Sequence, residues 1–218
     1  MNLPVVEPFE FKSAAHLVRI EPEQATTLGA LWQSLQGCSE SSIFQHTFRT
    51  LEEHHFIEEG FSNDFAHWAY TDCGQVALGE RLASIDIREF TKLADLRSRL
   101  VRLVGEFLEQ VPQDRKMIAL QPFYFCSAQT IIIPTGIVAT TLDQFAQGIR
   151  TVSIHSIYYH LLEARSRRHL ETNDFSLWLG THLHLVEAAE RINRIDIYTS
   201  TLEDVRQQIL RALVADPN

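Results

Sequence analysis

The sequence has few basic residues and no long apolar run, and each shortage excludes a class of protein. Nineteen Lys and Arg stand against 28 Asp and Glu, which gives a net charge of −9. That balance argues against a nucleic-acid-binding surface and against a polybasic membrane surface. No run approaches the roughly 20 apolar residues of a membrane span, because the longest one, 130–139, contains Pro134 and Gly136. We therefore expect neither nucleic acid nor a membrane as a partner.

Cysteine is scarce as well. Cys38, Cys73 and Cys126 form an odd set without the spacing of a metal or redox site. The first residues carry acids where a secretory signal would carry Lys or Arg. Both observations predict a cytoplasmic protein with reduced thiols. The sequence motifs of dinucleotide binding, P-loops, serine hydrolases, zinc peptidases and CxxC redox sites are absent too. These absences favour a non-catalytic protein.

An internal duplication is the strongest pattern that the sequence does contain. Residues 8–46 align with 122–160 at a constant offset of 114, and 14 of the 39 pairs are identical. Residues 63–88 align with 173–198 at an offset of 110, where 11 of 26 pairs match. We therefore predict two repeat copies, 1–114 and 115–218, that pack together as one globular unit. The first copy carries about four extra residues near 47–62.

Helical patterns dominate each copy. In the second copy Ser153 is a candidate N-cap, and apolar residues follow at the i, i+3, i+4 spacing of a helix. Asn63 and Asn173, each followed by Asp, are further N-cap candidates, and Ser200 with Glu203 matches a capping box. One short β-branched stretch per copy predicts an extended segment. The expected fold is mainly α: a pseudo-two-fold tandem repeat of helical bundles, each with one short strand.

Three motifs occur in both copies and carry a resemblance to a known family. They read SSIFQH, NDFAHW and ASIDI in the first copy and HSIYYH, NDFSLW and RIDI in the second. With them the chain resembles a family of bacterial and archaeal tandem-repeat proteins of unknown function, over nearly its whole length. The resemblance implies no activity, cofactor or catalytic residue. The family pattern at the first motif is SIFYH, and Gln45 replaces its aromatic residue here.

The aligned histidines His46 and His160 are the first candidates for a functional site. Histidine releases its proton near neutral pH, so it suits a ligand or acid–base role as well as a structural one. Helical geometry places His160 on the flank of an apolar stripe, which favours a half-buried structural histidine. With Tyr158, Tyr159 and Arg165 the pair forms our candidate ligand-binding set.

A metal site is the alternative. Asp64 with His67 and His160 with Glu163 are i, i+3 pairs of the kind found in carboxylate-bridged bundles. Together with His46 they make a candidate set for a divalent metal, although the second ligand of each pair is missing in the other copy. Arg49, for example, takes the place of Glu163.

Two functions follow from these patterns. The first is a non-catalytic binding or interaction module that holds a protein partner or small ligand in a groove between the copies, without a cofactor. The second is a His/carboxylate metal enzyme or redox protein with its site near the pseudo-two-fold axis. The sequence leaves the oligomeric state open.

Overall fold

A computed structural model describes residues 7–50, 61–164 and 172–214 of the chain. Helices account for 60% of these described residues and strands for 21%. The strands are long: β1 spans Phe9–Thr27 and β2 spans Ile118–Ala139, and they pair antiparallel in a two-stranded sheet. The expected mainly α, pseudo-two-fold bundle with one short extended segment per copy is therefore wrong. The fold combines helices with a long β-ribbon.

The chain divides into two compact units, and each strand passes from one unit into the other. The first unit is His16–Gln129, and the second combines Met1–Ala15 with Thr130–Asn218. The compact units therefore do not coincide with the sequence copies 1–114 and 115–218. The start of each strand folds with helices from the other sequence copy.

The first unit has helices between its two strand segments. The α-helices are α1 (Leu28–Gly37), α2 (Glu40–Phe44), α3 (Asp64–Thr71), α4 (Val76–Ala83) and α5 (Leu93–Gln110). A π-helical turn, Gln45–Arg49, continues α2 directly, and 3-10 turns lie at Ile87–Glu89 and Pro112–Lys116. Helix α5 packs against α1, α2 and α4 and buries one apolar face there.

The second unit has the same order of helices after its strand. Its α-helices are α6 (Leu142–Thr151), α7 (Ile154–Tyr158), α8 (Asp174–His182), α9 (Val186–Asn193) and α10 (Leu202–Val214). A π-helical turn, Tyr159–Glu163, continues α7. Helix α10 packs against α6, α7 and α9. None of the helices in the described residues is long and apolar enough to cross a membrane.

Polar side chains fix where several helices begin. Asn63 caps α3 and Asn173 caps α8, each with its side-chain oxygen 2.9 Å from a backbone nitrogen three residues on. Ser153 caps α7 in the same way. These three predicted caps are confirmed. The predicted capping box at Ser200 is shifted by one residue, because Thr201 caps α10 and Asp204 bonds back to it.

Candidate functional site

Both candidate histidines lie in the π-helical turns, His46 in Gln45–Arg49 and His160 in Tyr159–Glu163. A π turn has i→i+5 hydrogen bonds; such turns are rare and are frequently found at functional sites. The turns are buried, and His46 and His160 are 4% and 3% exposed. A buried imidazole needs partners for its ring nitrogens. The partners of these two rings therefore define their roles.

His160 is held at both ring nitrogens. Its Nδ1 lies 2.8 Å from Oδ2 of Asp174, the first residue of α8. The backbone N–H of Lys12, in β1, donates to its Nε2 at 2.8 Å. Since Nε2 accepts a hydrogen bond, the proton of the neutral ring is on Nδ1 and is donated to the carboxylate. The ring thus joins β1 to helix α8.

His46 makes the corresponding bonds within the first unit. Its Nδ1 lies 2.7 Å from Oδ2 of Asp64, and the backbone N–H of Cys126, in β2, donates to its Nε2 at 2.8 Å. The two sites differ in the burial of the carboxylate. The side chain of Asp64 is 36% exposed, whereas that of Asp174 is 5% exposed. Removal of the histidine should therefore cost more in the second unit, where water cannot solvate the carboxylate that is left without its partner.

Aromatic rings from the strands pack around each histidine. In the second unit Phe9 lies 4.9 Å from the His160 ring and also contacts Phe175 and Trp178, measured between ring centroids. In the first unit Phe123 lies 4.7 Å from the His46 ring. The indole N–H of Trp68 donates to the carbonyl of Gln121 in β2, and that of Trp178 donates to the carbonyl of Glu7 just before β1, both at 2.7 Å. Hydrogen bonds and apolar contacts together hold each strand to its unit.

A cavity of about 360 Å³ opens beside His160 in the second unit. The start of β1 forms one wall, and α8 with the π turn forms the other. The lining residues include Glu7, Glu10, Lys12, Tyr159, His160, Asp174, Leu177, Trp178, Thr181 and His182. Small-ligand sites commonly have volumes of about 300–1,000 Å³. The cavity therefore has the size of a binding site for a small molecule or for one side chain of a protein.

Charged groups of both signs stand at the mouth of this cavity. The side chains of Glu7 and Glu10 are 80% and 61% exposed. Lys12 pairs with Glu10 at 3.2 Å, and His182 lies 3.7 Å from Glu7. Exposed pairs of this kind contribute little to stability, so an entering polar group can replace them at small cost.

The residues proposed for a metal are dispersed between two compact units. His46 bonds Asp64, but the ring of His67 stacks on Phe61 at a centroid distance of 5.6 Å. Glu163 is buried in the second unit, in the same π turn as His160. Over 7–50, 61–164 and 172–214, no group of three His, Cys, Asp or Glu side chains is close enough to hold a metal ion.

The residues proposed for ligand binding do not all lie at the cavity. Tyr159 and His160 line the cavity. Tyr158 is fully buried, and Arg165 lies outside the described residues. His46 is in the other unit.

Sequence reasoning missed two parts of the site. It considered Asp174 for the N-terminus of α8 and as the counterpart of Asp64, but did not predict its bond to His160. The cavity residues Glu7 and Thr181 had no recognisable pattern, because they come together only when the start of β1 lies against α8.

The chain belongs to the family of unknown function DUF5752, whose pattern covers residues 6–214. Among solved structures, OrfY from Thermoproteus tenax is similar, with 28% sequence identity and a TM-score of 0.83. The alignment covers 95% of this chain and 94% of that one. No curated protein matches the chain at a significant level. The fold is thus shared over almost the whole chain, and neither the family nor OrfY supplies an activity by name.

Proposed function

We propose that the chain is a non-catalytic binding module whose site is the cavity beside His160 in the second unit. The occupant is a small polar ligand or the polar side chain of a partner protein. The observation that carries this proposal is the cavity itself, of about 360 Å³, walled by buried aromatic residues and open at a mouth with charges of both signs.

Hydrogen bonds hold the walls of this cavity in place. Trp178 donates its indole N–H to the carbonyl of Glu7, and His160 bonds both Lys12 and Asp174. A site whose walls are fixed loses little conformational entropy when a ligand enters. This rigidity supports binding without any rearrangement of the strand.

The bonds of His160 support a non-catalytic role. A general base needs a free lone pair within reach of the proton that it removes. The lone pair on Nε2 accepts the Lys12 N–H, and the proton on Nδ1 is directed to Asp174. In this arrangement the ring shapes the wall of the cavity, and the groups at the mouth make the polar contacts with the occupant.

A cavity-filling substitution tests the proposal. Thr181 is exposed on α8 and lines the cavity, so Thr181→Trp places a large ring in the cavity mouth. Thr71 is the matched control: it occupies the aligned position on α3, is also exposed, and bonds the carbonyl four residues earlier as Thr181 does. A library of small polar molecules is screened by ligand-observed NMR against the unmodified chain and both variants.

We expect library members that bind the unmodified chain and the Thr71→Trp variant but not the Thr181→Trp variant. The proposal is wrong if every library member that binds the unmodified chain also binds the Thr181→Trp variant. It is also wrong if no member binds and the two immobilised variants retain the same partner proteins. Melting curves of both variants show whether the folded state is intact.

A further inference from the structure

The charged groups that line the cavity beside His160 are mostly acidic. They are the carboxylates of Glu7, Glu10 and Asp174 and the ammonium group of Lys12, which leave the lining net negative when histidine is neutral. The side chain of Asp174 is 5% exposed, and little water screens a carboxylate at that depth. The whole chain carries a net charge of −9, so its field also draws cations towards the mouth.

The two glutamates at the mouth are not needed for the fold. At the offset of 114, Glu7 and Glu10 align with Gln121 and Tyr124 of the first unit, where neither acid is present. The carbonyl of Gln121 still accepts an indole N–H at 2.7 Å, as the carbonyl of Glu7 does. Backbone groups therefore hold the strand in both units, and the two carboxylates of the second unit serve another purpose.

Aromatic rings complete the walls of the cavity. Phe9, Tyr159 and Trp178 all line it. An aromatic ring attracts a cation that lies within about 6 Å of its face. Gln45 stands at the position aligned with Tyr159, so this ring too is specific to the second unit. The second unit thus combines two kinds of group that attract cations, and the aligned positions of the first unit lack both.

We propose that the occupant of this cavity is an organic cation with a primary ammonium group, either a free amine or a lysine side chain of a partner protein. This inference rests on the proposed function and names the chemical class of the occupant. The ammonium group donates charge-assisted hydrogen bonds to the carboxylates, and the rings contact the cation and its carbon chain. A bare metal ion does not fit, because in the part of the chain that the structure describes no three His, Cys, Asp or Glu side chains are close enough to hold one.

Three probes built on one ring separate charge from shape: benzylammonium, benzyl alcohol and benzoate. Their binding to the unmodified chain and to Thr181→Trp is measured by ligand-observed NMR at constant ionic strength. We expect benzylammonium to bind about tenfold more tightly than the other two, and Thr181→Trp to remove its binding. A capped Gly-Lys-Gly peptide distinguishes the two sources of the ammonium group. Tighter binding than benzylammonium identifies a partner's lysine, and weaker binding identifies a free amine.

Glu7→Gln tests the acidic mouth of the cavity. The substitution removes one charge and keeps the backbone carbonyl that accepts the Trp178 indole N–H. We expect it to weaken benzylammonium binding about threefold and to leave benzyl alcohol unaffected. Glu187→Gln is the matched control, because Glu187 is 77% exposed where Glu7 is 80% exposed, and it lies in the same unit outside the cavity lining. The control makes the same change in net charge and should not alter the binding of any probe.

The outcomes separate this inference from the proposed function. If benzyl alcohol or benzoate binds as tightly as benzylammonium and Thr181→Trp blocks it, the inference is overturned and the proposed function stands. Benzylammonium that binds Thr181→Trp unchanged, or that Glu187→Gln weakens as much as Glu7→Gln does, reports general attraction to an acidic surface and also overturns the inference. If members of the polar library bind at the cavity and benzylammonium does not, the inference alone is wrong. If neither probes, library members nor partner proteins bind there, both are wrong.

Discussion

The backbone N–H of Cys126 donates to Nε2 of His46 across 80 residues of sequence, at a distance of 2.8 Å. The bond joins strand β2 to the π-helical turn Gln45–Arg49. The backbone N–H of Lys12, in β1, donates to Nε2 of His160 in the same way, across 148 residues of sequence. Each histidine therefore binds a strand that is distant from it in the sequence.

The first prediction concerns the ring of Phe123, which is 6% exposed and packs on Phe65 and the His46 ring. Phe123→Ala should cost about 3–5 kcal/mol of unfolding free energy. Hydrogen exchange should accelerate first in α3, which belongs to the other sequence copy. The neighbouring Tyr124 is 52% exposed, so Tyr124→Ala should leave exchange in α3 unchanged. Equal effects of the two variants would show that Phe123 does not anchor the strand.

A second prediction uses two helical glycines with different surroundings. A Cβ on Gly148 would overlap the ring of Phe11, whereas a Cβ on Gly37 would have nothing within 4 Å. Gly148→Ala should therefore destabilise the protein by about 1–3 kcal/mol, because the core must shift to accept the methyl group. Gly37→Ala should be neutral or slightly stabilising, by up to about 1 kcal/mol. Urea unfolding measures both, and a harmless Gly148→Ala would contradict the packing of Phe11 on α6.

The thiols give a prediction about pH. Burial raises the pKa of Cys38 from 9.0 to about 11 and that of Cys73 to about 12. Burial raises the pKa of Cys126 too, but this thiol is only partly buried, so a thiol reagent at pH 8 should react with Cys126 first and with all three cysteines after unfolding. Rapid reaction of Cys38 or Cys73 in the native protein would contradict their burial.

The same pKa shifts set the direction of stability at alkaline pH. The unfolded thiols ionise near pH 9, while the folded ones stay protonated up to about pH 11 and 12. The stability that these groups contribute is thus present below pH 9 and is lost as the pH rises from about 9 to 12. Substitution of Cys73 by Ala should reduce the steepness of this loss in urea titrations at successive pH values.

Local patterns in the sequence were sufficient to predict the helices and most of their caps. Asn63, Asn173 and Ser153 cap helices as predicted, because a cap depends on residues within one turn. The box at Ser200 was misplaced by one residue, since Asp204 can close a box on Thr201 as well as Glu203 on Ser200. Cap chemistry predicts that a helix begins there and leaves its first residue uncertain by one position.

The ribbon and the cavity could not be predicted in this way. The sequence predicts only one short extended segment per copy, and the pairing of β1 with β2 joins residues that are about 100 or more apart in sequence. No local pattern encodes such a partner. The π turns were missed for a related reason, because a single i→i+5 turn changes the helical period too little to be visible in the spacing of apolar residues.

The central claim is that His46 and His160 hold strands in place rather than serving a metal or catalytic site. The most direct test combines metal analysis with urea unfolding for the unmodified protein, purified without a histidine tag, and for His46→Gln and His160→Gln. We predict no stoichiometric metal in the unmodified protein. His160→Gln should lose about 3 kcal/mol, since Asp174 is buried, and His46→Gln about 1–2 kcal/mol, since Asp64 is partly solvated. Stoichiometric metal that disappears in these variants while stability is retained would contradict the account.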